Sequence, residues 1–429
     1  MPLKVLISGA GVAGPALSLF LLKSNPAHKI TIIERSPSLR RGGQQIDLRG
    51  QGIPVMRKLG LLDEIKARAV AEDGLAFRDA ETGKEWAVFG KNDSGHGRQA
   101  FTSEYEIMRG DLVDILYRAS LEEAQKGKGQ GGLKYQFGTH AREIRQLGDG
   151  ADVTFSDGRT EKFDLVVGAD GQSSRTRRLA FGQETSDKAF KSLGVNFAFF
   201  SIPREKGDGP TAQLCLAPKR RFTAIRAGDR PVSQGYFGIK SDAPELATSS
   251  RESVEKQKEL WARLFGDAAW QAERLLRGMK ETDDFYAQQL GQVKMNTWSK
   301  GRVALLGDAG YCPSPMTGMG TACAVVGAYV LAGEIARNGH GGDVGAALRS
   351  YEKVLRPFIT EAQKLPSSGP GRIYVESEWG VWFTNRLLSV LSTLRVDRLM
   401  NQMMPENRGG WDVPEYPELR LTGSVSSRS

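Results

Sequence analysis

The chain has 429 residues, and 59 Lys and Arg against 50 Asp and Glu give a formal net charge of +9, which excludes an acidic disordered tail protein. Hydrophobic residues make up 40% and charged residues 25%. These are ordinary values for a globular chain, and the length predicts two or three domains. The longest apolar stretch free of charge, residues 322–333, is far shorter than the ~20 residues of a membrane-spanning helix. We therefore expect no membrane span.

The cysteines and histidines carry little sign of metal or disulfide chemistry. Cys215, Cys312 and Cys323 form no close pair, which argues against a disulfide framework or a zinc site and favours a reducing, cytoplasmic location. The four histidines are scattered, without the spacing of a metal site. Lys and Arg alternate with acidic residues instead of clustering with aromatic ones, so nucleic-acid binding is not expected.

Three strand-like runs, at residues 5–8, 164–169 and 302–307, each end in a glycine or acidic turn that leads into a helix. If the three turns serve one ligand, the three strands must lie in one sheet. The segment between about 191 and 295 has a different texture, since it is rich in aromatic residues and alternates as antiparallel strands do. A second, sheet-based domain inserted into an α/β domain fits this pattern.

Two further segments have helical spacing of apolar residues. Residues 253–277 predict one or two amphipathic helices that pack on a core. Residues 385–404 predict a C-terminal helix that braces the two domains or mediates self-association, and the chain beyond 407 is rich in Pro, Gly and Ser.

The first turn carries a complete dinucleotide-binding unit. Gly9 allows a tight turn, Gly11 lets the backbone approach a pyrophosphate, and Gly14 permits close packing of the helix on the strand. The helix, which includes Ala13 and runs to about residue 23, offers free N–H groups to the phosphates. The strand at 30–33 ends in Glu34 and Arg35, and Glu34 can accept hydrogen bonds from ribose hydroxyls but repels a 2′-phosphate. FAD or NAD is favoured here over NADP.

The second and third turns add signals that a simple NAD dehydrogenase does not need. The run 164–169 ends in Asp170-Gly171, and the run 302–307 ends in Asp308. The latter continues through Pro315, Met316, Gly318, Met319 and Gly320 into a predicted helix that runs to about residue 336.

Together the three segments resemble the signature motifs of the class A FAD-dependent aromatic monooxygenases, which have the para-hydroxybenzoate hydroxylase fold. The sequence Gly-Gly-Gln-Gln-Ile-Asp-Leu at 42–48 and Leu-Gly-Leu-Leu at 59–62 resemble the branch of the tetracycline-inactivating flavin monooxygenases. The resemblance extends from Leu3 to about Leu355. It implies an α/β fold with a Rossmann-like FAD-binding domain, an inserted, mostly antiparallel β-sheet substrate domain and a C-terminal helix. The expected boundaries are 1–70, 100–185 and 295–360 for the FAD-binding domain, 71–99 and 186–294 for the substrate domain, and 361–429 for the C-terminal region.

The resemblance also implies roles for single residues. Arg109 is similar to the arginine that reaches the phosphate–ribose part of FAD in this family. Asp308 is expected to hydrogen-bond the ribityl or phosphate side, Asp170 to support the pyrophosphate region and the NAD(P)H encounter, and Arg40 or Arg41 to dock the nicotinamide nucleotide. The full set of expected FAD contacts is Gly9, Gly11, Ala13, Gly14, Glu34, Arg35, Asp47, Arg109, Asp170, Asp308, Pro315, Gly318, Met319 and Gly320. Tyr311 stands where the family often has histidine.

The start of the helix predicted after the third turn can also be interpreted from physical chemistry alone. Gly318 and Gly320 would leave backbone N–H groups unshielded at a helix N-terminus, which favours negative charge. Aimed at the N1–C2=O edge of reduced flavin, these groups would stabilise its anion, while Pro315 would cover one face of the ring. A glycine-rich buried helix start without a ligand is the alternative interpretation.

By resemblance, NAD(P)H reduces FAD, O2 adds at C4a to give a flavin hydroperoxide, and its distal oxygen passes to an electron-rich aromatic or polycyclic small molecule. The cofactor carries the hard chemistry, so no protein nucleophile or general base is required. The substrate is expected between the inserted sheet and the flavin, with Gln213 and Arg226 as polar anchors. The candidate lining residues are Phe197, Phe199, Gln213, Arg226, Phe237, Pro315 and Met316.

Other functions stay open at this point. The same scaffold supports an epoxidase or another FAD oxidoreductase, and the sequence does not separate NADH from NADPH. A non-catalytic binder, such as the Rab GDP-dissociation inhibitors, shares the fold and the first fingerprint but loses the flavin-edge segment that is present here. The flavin halogenases are discounted because their mid-chain Trp-x-Trp-x-Ile signature is missing. We expect a monomer or a weak dimer.

Overall fold

The computed structural model describes residues 1–90, 105–127, 129, 131–338, 343–365, 373–395 and 410–421. The strands are β1 Lys4–Ser8, β2 Lys29–Glu34, β3 Gln45–Asp47, β4 Gly74–Arg78, β5 Glu85–Gly90, β6 Glu106–Met108, β7 Gly132–Phe137, β8 Ala141–Gln146, β9 Ala151–Phe155, β10 Thr160–Phe163, β11 Leu165–Gly168, β12 Phe190–Pro203, β13 Thr211–Ala217, β14 Arg221–Arg226, β15 Val232–Lys240, β16 Phe285–Val293, β17 Ser299–Lys300 and β18 Val303–Leu305. The helices are α1 Ala13–Ser24, α2 Gly52–Lys58, α3 Leu62–Ala67, α4 Arg109–Lys126, α5 Arg175–Phe181, α6 Gln183–Ala189, α7 Pro244–Thr248, α8 Val254–Phe265, α9 Ala272–Glu281, α10 Asp308–Tyr311, α11 Gly320–Asn338, α12 Val344–Ala362 and α13 Glu378–Thr393.

A six-stranded sheet in the order β17-β18-β11-β1-β2-β7 carries the three predicted strand–turn–helix junctions. The strands β18, β11 and β1 are parallel neighbours, with Ile7 opposite Val167 and Val167 opposite Ala304. Because the carboxyl ends of parallel strands meet at one edge of a sheet, the three turns converge there. The prediction that the three runs share one sheet is confirmed, as is the mixed α/β fold class.

Helix α1 is buried on nearly all sides because it lies between this sheet and other helices. Its residues Ala16, Leu17 and Phe20 are fully buried. The ring of Phe20 meets Tyr329 of α11 edge-on at 5.4 Å between centroids. This continuous apolar burial holds the N-terminus of α1 at the sheet edge, where the first turn lies.

The second sheet has seven strands in the order β16-β12-β15-β14-β13-β4-β5 and is antiparallel except between β13 and β4. Strand alternation separates its side chains onto two faces. Phe200 and Phe237 belong to a core with helices α7 to α9, whereas Phe199 and Tyr236 belong to a core on the opposite face. The predicted amphipathic helices over 253–277 correspond to α8 and α9, and the inserted antiparallel sheet is present.

Two smaller sheets complete the described part of the chain. Strands β8 to β10 form an antiparallel sheet, and β3 pairs with β6 antiparallel, with Asp47 opposite Glu106. The β3–β6 pair brings the segment that follows the first fingerprint next to the start of α4. This pair lies between the two large sheets, because Glu106 bonds to Arg226 of β14.

The predicted C-terminal helix is α13, which begins at Glu378 and ends at Thr393; residues 396–409 lie outside the described residues. The hydroxyl of Ser392 donates to the Val88 carbonyl at 2.7 Å and accepts from the Val88 N–H at 3.1 Å. The helix thereby covers the backbone of the edge strand β5, which would otherwise be open to pairing with another chain. Among the described helices, none is long and apolar enough to cross a membrane.

The C-terminal strap, residues 410–421, crosses helix α11 and ties this segment to the core beside the six-stranded sheet. The hydroxyl of Tyr416 donates to Oε1 of Glu334 at 2.6 Å, and that of Tyr329 donates to the Pro414 carbonyl at 2.7 Å. The Tyr416 ring lies so close to Gly333 that a Cβ there would be 2.3 Å from it. The strap therefore fits only over a glycine in α11.

Replacing Tyr416 by Phe tests the strap. Glu334 is 3% exposed and would lose its hydroxyl donor, so we expect the free energy of unfolding of the protein to fall, by about 1–3 kcal/mol for one unsatisfied buried polar group. Urea unfolding followed by circular dichroism measures it. The double variant Y416F/E334Q should lose less than the sum of its single variants, because a neutral amide is cheaper to bury. Wild-type stability of Y416F would contradict the role of the strap.

Candidate active site

The first turn is held by backbone contacts to its neighbours. The N–H of Gly9 donates to the Ile33 carbonyl at 2.7 Å, and Gly9 has a φ of +116°. A Cβ at Gly9 would lie 2.4 Å from the carbonyl oxygen of Ala169, which ends the second junction. A side chain is excluded there both by the backbone conformation and by this contact.

The start of α1 is built to receive an anion. A Cβ at Gly11 would meet only Nη2 of Arg109, at 3.3 Å, so the backbone is open on the side of that guanidinium. Among the described residues, the N–H groups of Gly11, Val12, Ala13 and Gly14 have no acceptor. Free amides and the helix dipole together favour a phosphate at this place.

Glu34 closes the adenosine side of the first junction. Its Oε2 accepts from the Ala10 N–H and its Oε1 from the Ser36 N–H, each at 3.0 Å. Each oxygen has a second lone pair, so the carboxylate keeps capacity for the ribose hydroxyls expected from the sequence. The neighbouring Arg35 is exposed.

Arg109 lies over the glycine turn at the start of α4. Its backbone N–H donates to the Gln44 carbonyl at 3.0 Å, and its side chain passes Gly43, where a Cβ would be 3.4 Å from Cδ. Burial lowers the pKa of the Arg109 guanidinium, as does the charge of Arg40, whereas Tyr286, Glu34 and Asp308 raise it. No residue in the described ranges forms an ion pair or hydrogen bond with the guanidinium. A largely desolvated guanidinium without a partner in the described ranges favours an anion at this place, as the expected contact with a FAD phosphate requires.

Asp170, at the second turn, has its carboxylate used within the protein. Oδ2 accepts from the Thr176 N–H at 2.9 Å and from the Thr176 hydroxyl at 3.0 Å, while Oδ1 accepts from the Ser174 hydroxyl. The residue therefore fixes the turn to the start of α5. This geometry is consistent with support of the pyrophosphate region and leaves little capacity for direct contact with a nucleotide.

Arg177 joins the second and third turns and was not singled out from the sequence. Its Nη2 donates to the Gln172 carbonyl and its Nη1 to the Ala309 carbonyl, both at 2.8 Å. It is 2% exposed, whereas the adjacent Arg178 interacts at the surface. The sequence offers two other arginines, Arg175 and Arg178, within three positions, and nothing local indicates which one turns inward.

Asp308 begins α10 directly after the third strand. Gly307 precedes it with a φ of +62°, and the Asp308 and Ala309 N–H groups have no acceptor among the described residues. Burial raises the pKa of Asp308 above its ordinary value, while Cys312 and Arg109 lower it. A Cβ at Gly307 would touch Cβ of Ala13 at 3.4 Å, so the first and third turns are in direct contact.

The segment expected at the flavin edge is a tight turn, residues 314–319, followed by α11. The N–H of Gly318 donates to the Pro315 carbonyl at 3.0 Å, and the N–H of Met319 donates to the Thr317 hydroxyl at 3.2 Å. Both amides are used inside the turn, so the expectation of an unshielded N–H group is corrected for Gly318 and stays open for Gly320. In the described chain, the free amides are those of Gly320, Thr321 and Ala322, which begin α11.

Asp47 lies beside this turn. Its Oδ2 forms a salt bridge with Nη2 of Arg49 at 3.1 Å, and a Cβ at Gly318 would lie 3.4 Å from Nη1 of Arg49. Oδ1 of Asp47 is buried without a hydrogen-bond partner. A buried carboxylate oxygen without a partner, paired on its other side with an arginine that reaches this turn, fits a polar ligand at this edge.

Two of the predicted substrate residues point away from this edge. Phe237 is fully buried on the helix-covered face, where its ring stacks on Phe265 at 4.3 Å between centroids. Gln213 pairs with Ile225 of the same face and donates from Nε2 to the Gly207 carbonyl at 3.0 Å. The expectation that Phe237 and Gln213 line the substrate does not fit these positions, because strand alternation places both on the far side of the sheet.

The near face carries an aromatic wall of Phe197, Phe199, Tyr236 and Tyr286. Phe199 contacts Phe197 at 5.7 Å, Tyr236 at 5.2 Å and Tyr286 at 6.2 Å between ring centroids. Met316 of the flavin-edge turn packs against the same cluster. The wall and the turn therefore pack against each other, and the two tyrosines were missed by sequence reasoning.

Arg226 also lies on the near face but is not free to anchor a ligand on its own. Its guanidinium bonds to Glu72 and Glu106, with Nη2 at 2.6 Å from Glu72 Oε2 and 2.5 Å from Glu106 Oε1. Neither carboxylate was singled out from the sequence. Both flank Arg226 from segments far away in the chain, so no local pattern predicts the cluster.

Tyr311, which stands where a histidine was expected, is a packing residue. Its hydroxyl lies 2.8 Å from that of Tyr351, which donates to the Leu305 carbonyl at 3.1 Å. A Cβ at Gly327 would lie 2.0 Å from the Tyr311 hydroxyl. The side chain therefore locks α10 to α11 and α12 from behind the site, and Gly327 is the residue that makes room for it.

The comparisons with known proteins agree with this geometry. Residues 2–365 match the protein family described as "FAD binding domain". The FAD-dependent monooxygenase asL6 of Sarocladium schorii is 45% identical over 427 residues, which cover 98% of this chain and 100% of that protein. This chain belongs to the FAD-dependent monooxygenases.

Solved structures give the same fold for this monooxygenase. The tetracycline destructase Tet(51) superposes with a TM-score of 0.76 at 28% identity, covering 97% of this chain and 100% of that one. HpxO of Klebsiella pneumoniae, solved with FAD and uric acid, superposes with a TM-score of 0.65 at 20% identity over 93% of this chain and 96% of that one, and this second likeness shows the fold alone. FAD is the cofactor, and the residues fit it, because the unpaired Arg109 and the free amides of α1 and α11 provide sites for its phosphates and ring edge.

Two glycine variants of the monooxygenase separate cofactor binding from folding. G11A adds a methyl group near the end of the Arg109 side chain alone, so we expect normal stability of the FAD-free protein and a loss of FAD affinity of roughly tenfold or more, since 1.4 kcal/mol of lost phosphate contact is tenfold. Fluorescence titration of the FAD-free protein with FAD measures this affinity.

G14A is the matched control. Its Cβ would lie 2.0 Å from the Gly9 carbonyl oxygen, so stability and FAD affinity should both fall. Equal FAD affinity of G11A and wild type would contradict the placement of the pyrophosphate over Gly11.

Proposed function

We propose that this monooxygenase uses NADPH or NADH and O2 to insert one oxygen atom into an electron-rich aromatic or polycyclic small molecule. The observation that carries the proposal is the aromatic wall of Phe197, Phe199, Tyr236 and Tyr286 facing the flavin-edge turn. When bound, FAD would supply the acceptance of a hydride from NAD(P)H and the activation of O2. The protein then has to bind and orient the substrate and to exclude water from the reacting centre.

The amides of Gly320, Thr321 and Ala322 would stabilise negative charge on the reduced ring edge. They begin α11, a helix of 19 residues whose dipole adds a partial positive charge at this end. Pro315 lies in the turn before them and offers no N–H that competes for the ring. These features support easy reduction of the cofactor.

The wall supports an aromatic substrate. Phe199 meets both Phe197 and Tyr236 edge-on. Aromatic rings prefer such edge-to-face contacts, so a ring of the substrate can add to the same arrangement. The likeness to Tet(51), a tetracycline destructase, supports a polycyclic substrate. Met316 offers an adaptable apolar contact from the cofactor side.

Arg40 and Arg41 are the proposed docking site for the nicotinamide nucleotide. Both are exposed, and Arg40 lies within electrostatic range of Arg109 at the entrance of the phosphate site. The carbonyl of Arg41 is fixed against Gly110, where a Cβ would be 1.6 Å away. The segment is therefore anchored by its backbone and presents its two positive charges to solvent.

The two large sheets support the proposed division of the chain. The six-stranded sheet belongs to a FAD-binding domain over 1–70, 100–185 and 295–360, and the seven-stranded sheet to a substrate domain over 71–99 and 186–294. The boundary between 99 and 100 lies outside the described residues. Residues 361–429 form the C-terminal region, with α13 on β5 and the strap on α11.

The activity itself is the direct test. We expect the purified protein to be yellow, and its NADPH or NADH oxidation to accelerate with members of a panel of phenolic polyketides, alkaloids and tetracyclines. Mass spectrometry should find products that gain one oxygen atom, which excludes uncoupled oxidation. A colourless protein that takes up no FAD, or cofactor oxidation without any oxygenated product across the panel, would overturn the proposal.

Phe197 tests the aromatic wall. Its ring is only partly buried, so F197A should leave folding nearly intact. The loss of one aromatic contact, about 1–1.5 kcal/mol, predicts a rise in KM of roughly tenfold for the best panel substrate, with FAD affinity unchanged. Steady-state kinetics scored by oxygenated product measure it.

F383A is the control for that variant. Phe383 lies on α13 and is 53% exposed, so its removal should leave KM at the wild-type value. An unchanged KM in F197A would argue against the wall as the substrate site.

A further inference from the structure

Helix α13 carries an apolar stripe on the face that points away from the protein. The residues of the α13 stripe follow one another at intervals of three or four positions, which places them on one side of the helix and of the residue after it. They are Trp379, Phe383, Leu387, Val390 and Leu394. All five are exposed, from 49% for Leu387 to 72% for Trp379. In the described ranges, most of the large hydrophobic side chains that are exposed belong to this stripe.

The packing face of α13 lies on the other side of the helix. Val381 is buried and Leu388 partly buried in the core that contains the aromatic wall. Ser392 fixes the helix to Val88 of β5 by the two hydrogen bonds described above. Val88 is itself exposed, so apolar surface continues from the helix onto the edge strand. The helix is thus docked by one apolar face, and a second apolar face is left for a partner.

The charge beside the α13 stripe is positive. The guanidinium of Arg386 lies over the rings of Trp86 and Trp382, at 5.0 and 5.3 Å from their centroids. Arg395 follows the last residue of the stripe and is exposed. In the described part of the chain, neither arginine forms an ion pair with a carboxylate. Aromatic rings take the place of an acid at Arg386, so its charge is left for an anion outside the protein.

An anionic lipid surface matches the apolar stripe and the positive charge together. Acyl chains accept the apolar side chains, lipid phosphates accept the guanidinium groups, and tryptophan prefers the boundary between the two. Trp379 stacks on Phe383 at 5.7 Å between ring centroids, so both rings are exposed as one flat surface. The formal net charge of +9 adds attraction to a negatively charged surface.

A second copy of the chain matches the stripe less well. A closed pair of identical molecules uses the same face on both. Arg386 adjoins Leu387 in the middle of the stripe, so an antiparallel pair of α13 helices would bring two arginines together. The acidic residue on this face, Glu378, lies in the first turn, about two turns away from Arg386. Charge complementarity therefore favours a lipid surface over a second copy.

We propose that α13 docks the protein on the surface of an anionic phospholipid bilayer. The α13 stripe enters the boundary between headgroups and acyl chains, and Arg386 and Arg395 contact lipid phosphates. The helix lies in the plane of the surface and does not cross it. Docking does not depend on the proposed function. If the substrate is the polycyclic molecule proposed above, docking places the aromatic wall, on which the opposite face of α13 packs, beside the phase in which such a molecule dissolves.

Flotation of the FAD-loaded protein with lipid vesicles is the first test, and it needs no substrate. We expect the protein to float with vesicles of three parts phosphatidylcholine to one part phosphatidylserine, and more weakly with phosphatidylcholine alone. Binding to the anionic vesicles should weaken as salt is added, because salt screens the attraction of the arginines to the lipid. A wild type that stays in solution with both kinds of vesicle overturns the proposal.

Two sets of variants separate the apolar from the charged contribution. W379S/F383S/L387S should bind both kinds of vesicle more than tenfold more weakly, because it removes most of the apolar area of the stripe. R386Q/R395Q should bind the anionic vesicles about tenfold more weakly or less tightly still, with little change on the neutral ones. All five side chains are exposed, so both variants should fold and retain FAD.

V232S/V254S is the matched control. Val232 and Val254 are exposed hydrophobic residues outside α13, so their removal should leave flotation at the wild-type value. An equal loss in this control, or wild-type flotation of W379S/F383S/L387S, contradicts docking through the α13 stripe.

Fluorescence with brominated lipids locates the contact. Bromine on the acyl chains quenches tryptophans that enter the bilayer, so we expect quenching of the wild type that is lost in W379F/W382F. Phenylalanine keeps the apolar character at both positions, so this variant should still float. Flotation of the wild type with the same quenching in W379F/W382F would place the lipid contact elsewhere and overturn the role of α13.

Light scattering distinguishes a lipid surface from a second copy. The proposal predicts that wild type and W379S/F383S/L387S have the same mass in solution without lipid. A wild-type dimer that this variant converts to a monomer, together with a lack of flotation, would assign the stripe to self-association and refute lipid docking.

Discussion

The backbone contact between Gly9 and Ala169 is the constraint on which the site depends. A Cβ at Gly9 would lie 2.4 Å from the Ala169 carbonyl oxygen, and a Cβ at Gly14 would lie 2.0 Å from that of Gly9. The first turn is thus packed tightly between helix α1 and the second turn. Because β11 pairs with both β1 and β18, the third turn is fixed by the same sheet. Convergence of the three turns at one sheet edge orders the free backbone amides in advance, which lowers the cost of binding a cofactor there.

The local parts of this architecture could be predicted from the sequence, since their signals lie within a few residues. Glycine spacing, an apolar run and Glu34 define the first unit, and similar runs before Asp170 and Asp308 define the others. The two faces of the substrate sheet could not be separated in this way. Phe199 and Phe200 are both buried because α7 to α9 cover one face and residues of the C-terminal region, among them Tyr374 and Val381, cover the other, so the usual alternation of polar and apolar residues is absent. Phe237 and Gln213 were assigned to the wrong face for this reason.

The turn before α11 illustrates a second limit. Glycines at 318 and 320 indicate a helix start with open amides, and the start is at Gly320. Which amides stay open depends on Ser314, Pro315 and Thr317, whose oxygens accept hydrogen bonds within the turn. Such short-range competition between side-chain and backbone acceptors is decided by the folded conformation and not by residue type. The cluster of Arg226 with Glu72, Glu106 and Asp47 is harder still to predict from the sequence, because its members come from four separate segments.

The two half-buried arginines of the site, Arg109 and Arg226, have opposite electrostatic surroundings. Arg109 has no paired carboxylate in the described chain, so its charge is left for an anionic cofactor, whereas Arg226 contacts two carboxylates and stands near a third. Positive charge is thereby concentrated at the phosphates and negative charge behind the aromatic wall. Because Glu72 and Glu106 already neutralise its charge, Arg226 cannot compete with Arg109 for an anionic group of the cofactor.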